Sequence, residues 1–372
     1  MKLERVSIKN FRGIESCEID FTDEFGRVRN ICPIVGPNTS GKTSILNAIS
    51  LCLMPVTEIY DLPDVTFSPA ALVRRGAIEA EVTCTVRFSD AELEAIRSVL
   101  SDLGDIGYPP PPNTKSVQVT WRYPDRTEKH RLGPYQCEPK DGWVLFRGRK
   151  LVKKNLYRDE FSGADFQKHG GVFQFDEMRR GLAKKLKPSE KRLLGLIGND
   201  DQTALAKDAL ESEYTTDPRE ILLALAMRAN APQGAQATQK TDFERLKVLY
   251  NSVCKPNELV GLFNTETSLD MEFRGPNGIH LFDGLSSGQQ MLLLLLMSFA
   301  SNHIHQSIVM IDELELHLHP LWQDRLFQSL NKLGDSNQVI FTTHSSHLRD
   351  SIGLKMVHVT GKLDDVTVQE ML

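Results

Sequence analysis

Residues 36–43 form a glycine-rich stretch, GPNTSGKT, which matches the pattern G-x-x-x-x-G-K-[ST]. A buried, β-branched stretch precedes it at residues 28–34, and a helical pattern follows it. Glycines let the backbone curl so that its N–H groups face a chain of phosphates, the lysine adds positive charge, and the threonine hydroxyl can bind Mg²⁺. We therefore predict a nucleotide-phosphate site in this loop. Its expected residues are Asn38, Thr39, Ser40, Gly41, Lys42, Thr43 and Ser44.

Two carboxylates follow a second apolar stretch, in IVMIDE at residues 308–313. Four consecutive apolar residues are typical of a buried strand, and the residues that follow such a strand lie at the edge of the sheet. Asp312 is placed there to hold Mg²⁺, directly or through water. Glu313 points elsewhere on the pleat, where it can orient a water molecule against a terminal phosphate. Together with the glycine loop, these acids predict phosphoryl transfer to water.

A histidine follows a third apolar stretch, in QVIFTTHSSHL at residues 338–348. A lone histidine is more often structural, but His344 comes after a predicted strand, and an open parallel sheet gathers its active site at the carboxyl ends of its strands. We predict that His344 contacts the terminal phosphate or the attacking water. The predicted catalytic residues are then Lys42, Glu313 and His344, with Thr43 and Asp312 as metal ligands.

These residues need a sheet whose strands end side by side. Strands that alternate with helices toward the end of the chain predict a mainly parallel sheet, and the start of the chain predicts a hairpin followed by further strands. The interval between them is mixed and mostly helical, with the loop sequences GYPPPPNTK and NAPQGAQATQK. We predict an α/β fold, a mixed sheet with flanking helices, built from residues 1–105 and 256–372, with a mostly helical insertion at 106–255.

The composition is ordinary for a globular chain that buries a large core. Of 372 residues, 40% are hydrophobic and 25% charged, and the formal net charge is -5. That charge gives no global attraction to nucleic acid, so such a contact would need a local basic patch. The most apolar stretch, residues 291–300, is about half as long as a bilayer requires, so we expect no membrane contact. The six cysteines are scattered and form no CxxC pair, so the sequence indicates neither a disulfide framework nor a zinc site. Free cysteines favour a reducing compartment such as the cytoplasm.

A second stretch of small residues, LSSGQQ at 285–290, precedes that apolar run. It has no lysine and follows no buried strand, but small residues before a long helix again make an anion-binding N-terminus. The order of glycine loop, LSSGQ, IDE and strand-end histidine resembles that of the ATP-binding cassette ATPases, a P-loop fold. The resemblance implies bound ATP and Mg²⁺ and a homodimer or higher homo-oligomer in which the signature of one subunit caps the γ-phosphate on the other. By it, Ser286, Gly288 and Gln289 match the signature LSGGQ, with Ser287 in place of its first glycine.

Further motifs resemble the OLD, RecF and SMC-like branch of these ATPases, especially the short AAA-type proteins of bacterial defence systems. They are VSIKNFRGI, GPNTSGKTS, LVRRGAIEAEVTCTVRF, DELELHLHP and TTHSSHL. The resemblance implies that Arg12 of NFRG lies near the nucleotide, while a surface arginine in a hairpin is an equally good interpretation. It also implies a glutamine that contacts Mg²⁺, for which Gln174 is the candidate. The chain departs from both patterns: we expect no long coiled coils of the SMC kind and, from the few residues given after His344, no nuclease domain of the OLD kind.

Basic residues cluster in the middle of the chain, within residues 147–192. Interleaved aromatic residues favour a nucleic-acid contact, whereas a solvated helical face explains the same charges without any partner. The first part of the cluster comprises Arg147, Arg149, Lys150, Lys153, Lys154 and Arg158.

Three functions fit an ATPase of this kind. The first is a sensor or regulator in anti-phage defence, which controls a separate effector such as a nuclease or toxin. The second is a DNA repair or recombination ATPase that clamps DNA. The third, the nucleotide-binding half of a membrane transporter, is disfavoured by NFRG and DELELHLHP. We favour the first function and expect a cytoplasmic protein.

Overall fold

The computed structural model describes residues 1–56, 69–102, 110–124, 135–156, 171–175, 218–230, 237–264, 269–301, 304–315, 318–334, 336–352 and 358–359. The chain divides into two compact units. The first comprises Met1–Gln174, His305–Leu314 and Gly334–Leu372, and the second comprises Phe175–Ile304 and Glu315–Leu333. Both units are therefore assembled from separate parts of the chain.

The described residues form thirteen strands and eight α-helices. The strands are β1 Lys2–Phe11, β2 Ile14–Asp20, β3 Ile31–Val35, β4 Ala80–Arg87, β5 Ser116–Tyr123, β6 Tyr135–Glu138, β7 Val172–Phe175, β8 Glu258–Asn264, β9 Leu269–Gly275, β10 Gly278–Leu281, β11 Ile308–Ile311, β12 Gln338–Thr343 and β13 His358–Val359. The helices are α1 Lys42–Leu53, α2 Asp90–Asp102, α3 Trp143–Leu156, α4 Pro218–Asn230, α5 Ala237–Val253, α6 Ser287–Ser301, α7 Pro320–Ser329 and α8 Ser346–Ile352.

An antiparallel sheet of the first unit has the strand order β2-β1-β4-β5-β6. β1 and β2 form the hairpin that the sequence predicts, with Phe11 opposite Ile14 next to the turn. β4 alternates strictly between buried and half-buried residues because one face of this sheet covers the core. β5 and β6 lie within the predicted insertion at 106–255 but belong to this sheet.

A second sheet of the first unit has the order β13-β3-β12-β11-β7. The pairs β11–β12, β12–β3 and β3–β13 are all parallel. β11 and β12 are buried along their whole length, as expected of parallel strands that are covered on both faces. Because β3, β12 and β11 are neighbours, the residues that follow them emerge side by side at one edge of the sheet.

One core joins the two sheets of the first unit to the buried face of α1. It contains Ile34, Met310 and Ile340 from the parallel strands together with residues of β1, β4 and β5. The buried side chain of Gln338 links the sheets through hydrogen bonds, accepting from Leu3 N at 2.6 Å and donating to Leu3 O at 2.7 Å. A polar side chain is stable in this core because its amide is satisfied by backbone groups.

The second unit contains an antiparallel sheet and helices α4 to α7. The sheet has the order β10-β9-β8. Tyr250 of α5 is fully buried against Phe273 of β9 in an edge-to-face contact, with ring centroids 5.7 Å apart. Arg219 at the start of α4 donates to the buried carboxylate of Asp270 at 2.6 Å. Among the described residues, no helix is both long and apolar enough to cross a bilayer.

Candidate nucleotide site

The glycine loop connects β3 to α1, as the sequence predicts. Its exposed residues Pro37, Asn38 and Thr39 lie at the tip, while Ser40 and Ser44 are half-buried. Gly41 precedes the helix with φ at 92°, a left-handed conformation that favours glycine. Because glycine has no side chain, this cap position supplies no acceptor to the first N–H groups of α1. The start of the helix is therefore available to an anion.

Lys42 is buried, with 5% of its surface exposed, and folds back over the loop. Its ammonium donates to Gly36 O at 2.8 Å and to Pro37 O at 2.9 Å. It also lies 3.3 Å from Nδ1 of His344. An ammonium cannot accept a hydrogen bond, so this ring nitrogen is the acceptor. The structure thus brings together two predicted site residues from opposite ends of the chain.

Thr43 and Asp312 also meet, at the edge of the parallel sheet. The Thr43 hydroxyl donates to Oδ2 of Asp312 at 2.8 Å. Asp312 is 8% exposed and follows β11, whereas Thr43 lies in the first turn of α1. A hydroxyl and a carboxylate are hard oxygen ligands of the kind that Mg²⁺ prefers, so this pair fits the ion that the sequence implies.

Glu313 follows Asp312 with φ at 50°, in the left-handed region of backbone conformations. Its Oε1 lies 3.7 Å from Nε2 of His344, and both side chains are about one-third exposed. Since Nδ1 of a neutral His344 accepts from Lys42, its proton sits on Nε2 and faces Glu313. His344 therefore lies between the lysine and the carboxylate, within reach of solvent.

Thr342 is a site residue that the sequence analysis missed. It is fully buried near the end of β12, and its hydroxyl donates to Oδ1 of Asp312 at 2.5 Å. The same oxygen accepts from Glu313 N at 2.7 Å, and its carbonyl accepts from Leu314 N at 3.0 Å. Two consecutive threonines before His344 are the signal in the sequence, but nothing there separates Thr342 from its neighbour Thr343.

Gln174 lies in β7, on the same sheet as the strand that precedes Asp312, and is the last residue of the first unit before the chain enters the second. Its side chain is buried against α1, where the amide donates to Asn47 Oδ1 at 2.9 Å and accepts from the Ser50 hydroxyl. These contacts lie one and two turns beyond Thr43 on the same face of the helix. A role for Gln174 as a metal ligand stays a prediction.

Arg12 lies in the β1–β2 turn with φ at 52°. Its guanidinium is 5.7 Å from the ring centroid of Phe11, its backbone N–H donates to Leu72 O, and partial burial lowers its pKa. Ile14, at the start of β2, packs beside the glycine loop, since a Cβ on Gly41 would be 3.2 Å from its Cγ1. The hairpin therefore approaches the loop, and a nucleotide contact by Arg12 stays a prediction.

The signature residues form a reciprocal cap at the start of α6. Ser286 precedes the helix, and its hydroxyl accepts from Gln289 N at 3.3 Å. In return, Gln289 Oε1 accepts from Ser286 N at 2.8 Å. This is the capping-box arrangement of a serine and a glutamine three residues later. A hydroxyl that accepts from the backbone keeps its own proton, so Ser286 can still donate to a phosphate oxygen.

Burial separates the signature from the helix behind it. Ser286 and Ser287 are exposed, whereas Gly288 and Gln289 are buried. From Leu292 onward α6 is mostly buried, which explains its continuous apolar sequence. Among the residues of α6 whose burial the structure describes, the exposed one is Ser287 at the helix start.

The basic cluster is only partly described. Arg149 and Phe146 point into the core, where Arg149 Nε donates to the buried Glu92 carboxylate at 3.2 Å. Arg147, two residues earlier, is exposed. Arg149 is therefore occupied structurally, and the rest of the cluster beyond Leu156 lies outside the described residues.

The fold and the site together define a class of protein. A phosphate loop between a strand and a helix, a carboxylate after another buried strand of the same sheet and a histidine after the strand between those two are the parts of a P-loop ATPase. Residues 34–350 match the family described as "AAA domain, putative AbiEii toxin, Type IV TA system". The match covers most of the chain, and the protein belongs to this ATPase family.

Two curated relatives come from bacteria. The chain is 33% identical over 64 residues to the Septu protein PtuA of Bacillus thuringiensis, which covers 17% of this chain and 16% of PtuA. It is 24% identical over 373 residues to the OLD nuclease of Thermus scotoductus, which covers 94% of this chain and 60% of the nuclease. The chain thus spans less than two thirds of the length of either relative.

A solved structure supports the fold. The Smc head domain with an extended coiled coil, bound to the C-terminal domain of ScpA, from Pyrococcus furiosus, superposes with a TM-score of 0.50 at 15% identity. The match covers 94% of this chain and 91% of the head domain. The α/β fold of the ATP-binding-cassette type, which the motif order predicts, is therefore confirmed.

Proposed function

We propose that the protein hydrolyses ATP at the edge of the parallel sheet. The observation that carries this proposal is the convergence of Lys42, Thr43, Asp312, Glu313 and His344, which come from α1 and from the ends of β11 and β12. In this reaction a water oxygen bonds to the γ-phosphorus, the bond to the β,γ-bridging oxygen breaks, and ADP and phosphate leave.

Each residue has a role that follows from its position. Lys42 exchanges its bonds to the loop carbonyls for phosphate oxygens, since these carry the negative charge that the carbonyls lack. Glu313 is exposed enough to meet water, orients it and takes its proton. His344, whose Nε2–H faces Glu313, senses the γ-phosphate from between the base and the lysine.

Thr43 and Asp312 are the proposed ligands of Mg²⁺. When bound, the ion neutralises charge on the phosphates. The Thr43 hydroxyl must then turn its proton away from Asp312, so that both oxygens offer lone pairs. Within the described residues no cluster of three or more acidic, histidine or cysteine side chains forms a metal site, which is consistent with an ion held largely by phosphate and water.

We infer that the ATPase works as a homodimer. The signature resemblance supports this, because Ser286 lies exposed at a helix start and retains a proton for a phosphate oxygen. A mixture of Ser286→Asp chains and Lys42→Ala chains tests it. One intact composite site should form in each mixed dimer, so hydrolysis should reappear on mixing. Persistent inactivity of dimers shown by mass to be mixed would instead indicate that both sites must act together or that the signature is not shared.

For the cell, we propose a sensor or regulator in anti-phage defence that controls a separate nuclease or toxin. The names of the Septu and OLD relatives and the toxin–antitoxin description of the family support this role. Six cysteines without a disulfide support a cytoplasmic location. Co-purification with the product of a neighbouring nuclease or toxin gene, with and without ATP, tests the partner. Neighbouring recombination genes and ATP-dependent DNA binding would favour the DNA-clamp alternative.

Two substitutions test the ATPase assignment. Lys42→Ala should weaken ATP binding about 10- to 100-fold, because a charged hydrogen-bond donor to phosphate is lost. Glu313→Gln should still bind ATP but hydrolyse it about 10²- to 10⁴-fold more slowly, because the amide cannot take the proton. Binding is measured with a fluorescent nucleotide and turnover by phosphate release.

The exposed carboxylate of Glu18 supplies a matched control. Glu18→Gln makes the same chemical change on β2 and should leave both ATP binding and ATP turnover unchanged. Tight ATP binding by Lys42→Ala, or normal turnover by Glu313→Gln, would contradict the assignment.

A further inference from the structure

Three consecutive residues after β11 are bonded to a single residue of β12. Thr342 donates through its hydroxyl to Asp312, accepts through the same oxygen from Glu313 N, and accepts through its carbonyl from Leu314 N. A threonine hydroxyl has one proton, and here that proton is given to Asp312. The turn that carries both carboxylates is therefore bonded to Thr342 at each of its three residues.

These bonds hold a conformation that the turn does not favour by itself. Glu313 has φ at 50°, in the left-handed region that is uncommon for residues other than glycine. Such a residue persists when its surroundings fix it, and the bond from Glu313 N to Thr342 is part of that constraint. The bond to Oδ1 of Asp312 similarly leaves Oδ2 directed to Thr43.

We propose that Thr342 is a positioning residue for magnesium binding and hydrolysis: its buried hydroxyl selects which oxygen of Asp312 faces the metal and turns Glu313 toward the attacking water. This inference rests on the proposed ATPase function and assigns a role to a residue outside its catalytic set. Partners that orient a metal ligand typically change metal affinity or activity about 10- to 100-fold when they are removed.

The test replaces the hydroxyl and keeps the shape. Thr342→Val should raise the Mg²⁺ concentration that half-maximally strengthens ATP binding by about 10-fold or more. It should also slow hydrolysis at saturating Mg²⁺, because Glu313 is no longer held. ATP affinity in EDTA should stay within about twofold of the wild type, since Lys42 and the loop are untouched. Thr342→Ser keeps the hydroxyl, so its half-maximal Mg²⁺ concentration should be close to that of the wild type.

Thr343 provides the matched control. It is the next residue of β12 and equally buried, but its hydroxyl accepts from Ser345 N at 3.0 Å. Thr343→Val therefore removes a buried threonine hydroxyl without touching either carboxylate residue, and it should lower the Tm without moving the magnesium dependence. If Thr342→Val does not fold, Thr342→Ala removes the same hydroxyl with a smaller side chain. The magnesium dependence of ATP binding and the rate of hydrolysis are then measured on that variant.

The outcomes separate this inference from the proposed function. The role of Thr342 is overturned if Thr342→Val leaves the magnesium dependence of ATP binding unchanged, if Thr343→Val shifts it equally, or if Thr342→Ser shifts it as much as Thr342→Val. None of these results contradicts the ATPase assignment. A wild type that binds Mg²⁺ and ATP but does not hydrolyse ATP contradicts the proposed function, and the binding measurements still decide the role of Thr342. A wild type that binds no ATP, or binds it independently of Mg²⁺, overturns this inference as well.

Discussion

The phosphate-loop site of the first unit and the signature of the second are held together in opposite ways. Lys42 contacts His344 across 302 positions of the chain, and Thr43 contacts Asp312 across 269. The signature bonds between Ser286 and Gln289 span three positions. The first region exists only when distant strands have assembled, whereas the second needs only the start of one helix.

Because of this difference, the two regions should respond differently to substitution. A substitution in the first unit that disturbs long-range contacts affects the fold and the site together. A substitution at the signature can preserve the helix while changing its surface, because capping chemistry is local. We therefore expect substitutions at long-range contacts of the first unit to destabilise the fold, and substitutions at the signature to reduce ATP hydrolysis without unfolding the protein.

The largest effect should come from breaking a long-range contact of the first unit away from the nucleotide residues. Arg149→Met takes the guanidinium from the buried carboxylate of Glu92, which keeps the Met1 amine as a partner, and should lower the free energy of unfolding by about 3 kcal/mol. Arg147→Met changes an exposed arginine two residues earlier and should stay within about 0.5 kcal/mol. Urea unfolding measures both, and equal loss in the two variants would contradict the structural role of Arg149.

The same contact has a predictable pH dependence. Burial raises the pKa of Glu92, but the nearby Met1 amine and Arg149 lower it more and hold it at about 2, below its ordinary value of 4.5. A depressed folded pKa stabilises the protein above about pH 4.5, and that contribution is lost as the pH falls toward 2. The stability difference between Arg149→Met and the wild type should therefore shrink in this acid range.

The next effect concerns function without unfolding. Aspartate caps helices as well as serine does, so Ser286→Asp should leave the Tm nearly unchanged. Its negative charge would face a phosphate in the proposed dimer, and we expect hydrolysis to fall about 100-fold, as for loss of an electrostatic donor at a reacting group. Ser286→Ala should instead lower stability by about 1 kcal/mol through loss of the cap. Normal hydrolysis by Ser286→Asp would mean that this residue only caps α6.

The sequence predicts the residues that follow buried strands better than it predicts their contacts. β3, β11 and β12 are evident because continuous apolar runs suit strands covered on both faces, and this places Gly36, Asp312 and His344 at one edge. β7 and β8, by contrast, are not evident from the sequence. β7 has four residues and β8 is mostly half-buried, so neither has a strong periodic pattern.

Contacts that depend on burial, inside the site and away from it, cannot be predicted from the sequence. Arg149 looks like a member of a basic cluster because charge patterns do not show which arginine points inward. Thr342 has the same residue type as Thr343, and only the pairing of β11 with β12 distinguishes their partners. By contrast, the signature cap is visible in the sequence as a serine followed three residues later by a glutamine.

The smallest effects compare one glycine from each region. Gly41 has φ at 92°, and a Cβ there would also lie 3.2 Å from Ile14, so Gly41→Ala should cost about 1–2 kcal/mol and weaken ATP binding by distorting the loop. Gly284, before the signature, has no such backbone constraint. Gly284→Ala therefore gains about 0.4–1 kcal/mol from reduced freedom of the unfolded chain.

Crowding opposes that gain, because a Cβ on Gly284 would lie 3.0 Å from Cβ and 3.1 Å from Cδ2 of His280. The His280 ring is stacked on Phe273, with centroids 5.9 Å apart, so it has little freedom to move aside. We expect Gly284→Ala alone to change stability by less than about 1 kcal/mol, with the two terms nearly cancelling. In a His280→Gly background both the Cβ and the ring are gone and the crowding disappears, so the same substitution should stabilise by about 0.5 kcal/mol. Denaturant unfolding of the four proteins in this cycle measures the coupling, and identical effects of Gly284→Ala in both backgrounds would show that space beside the signature does not explain its glycine.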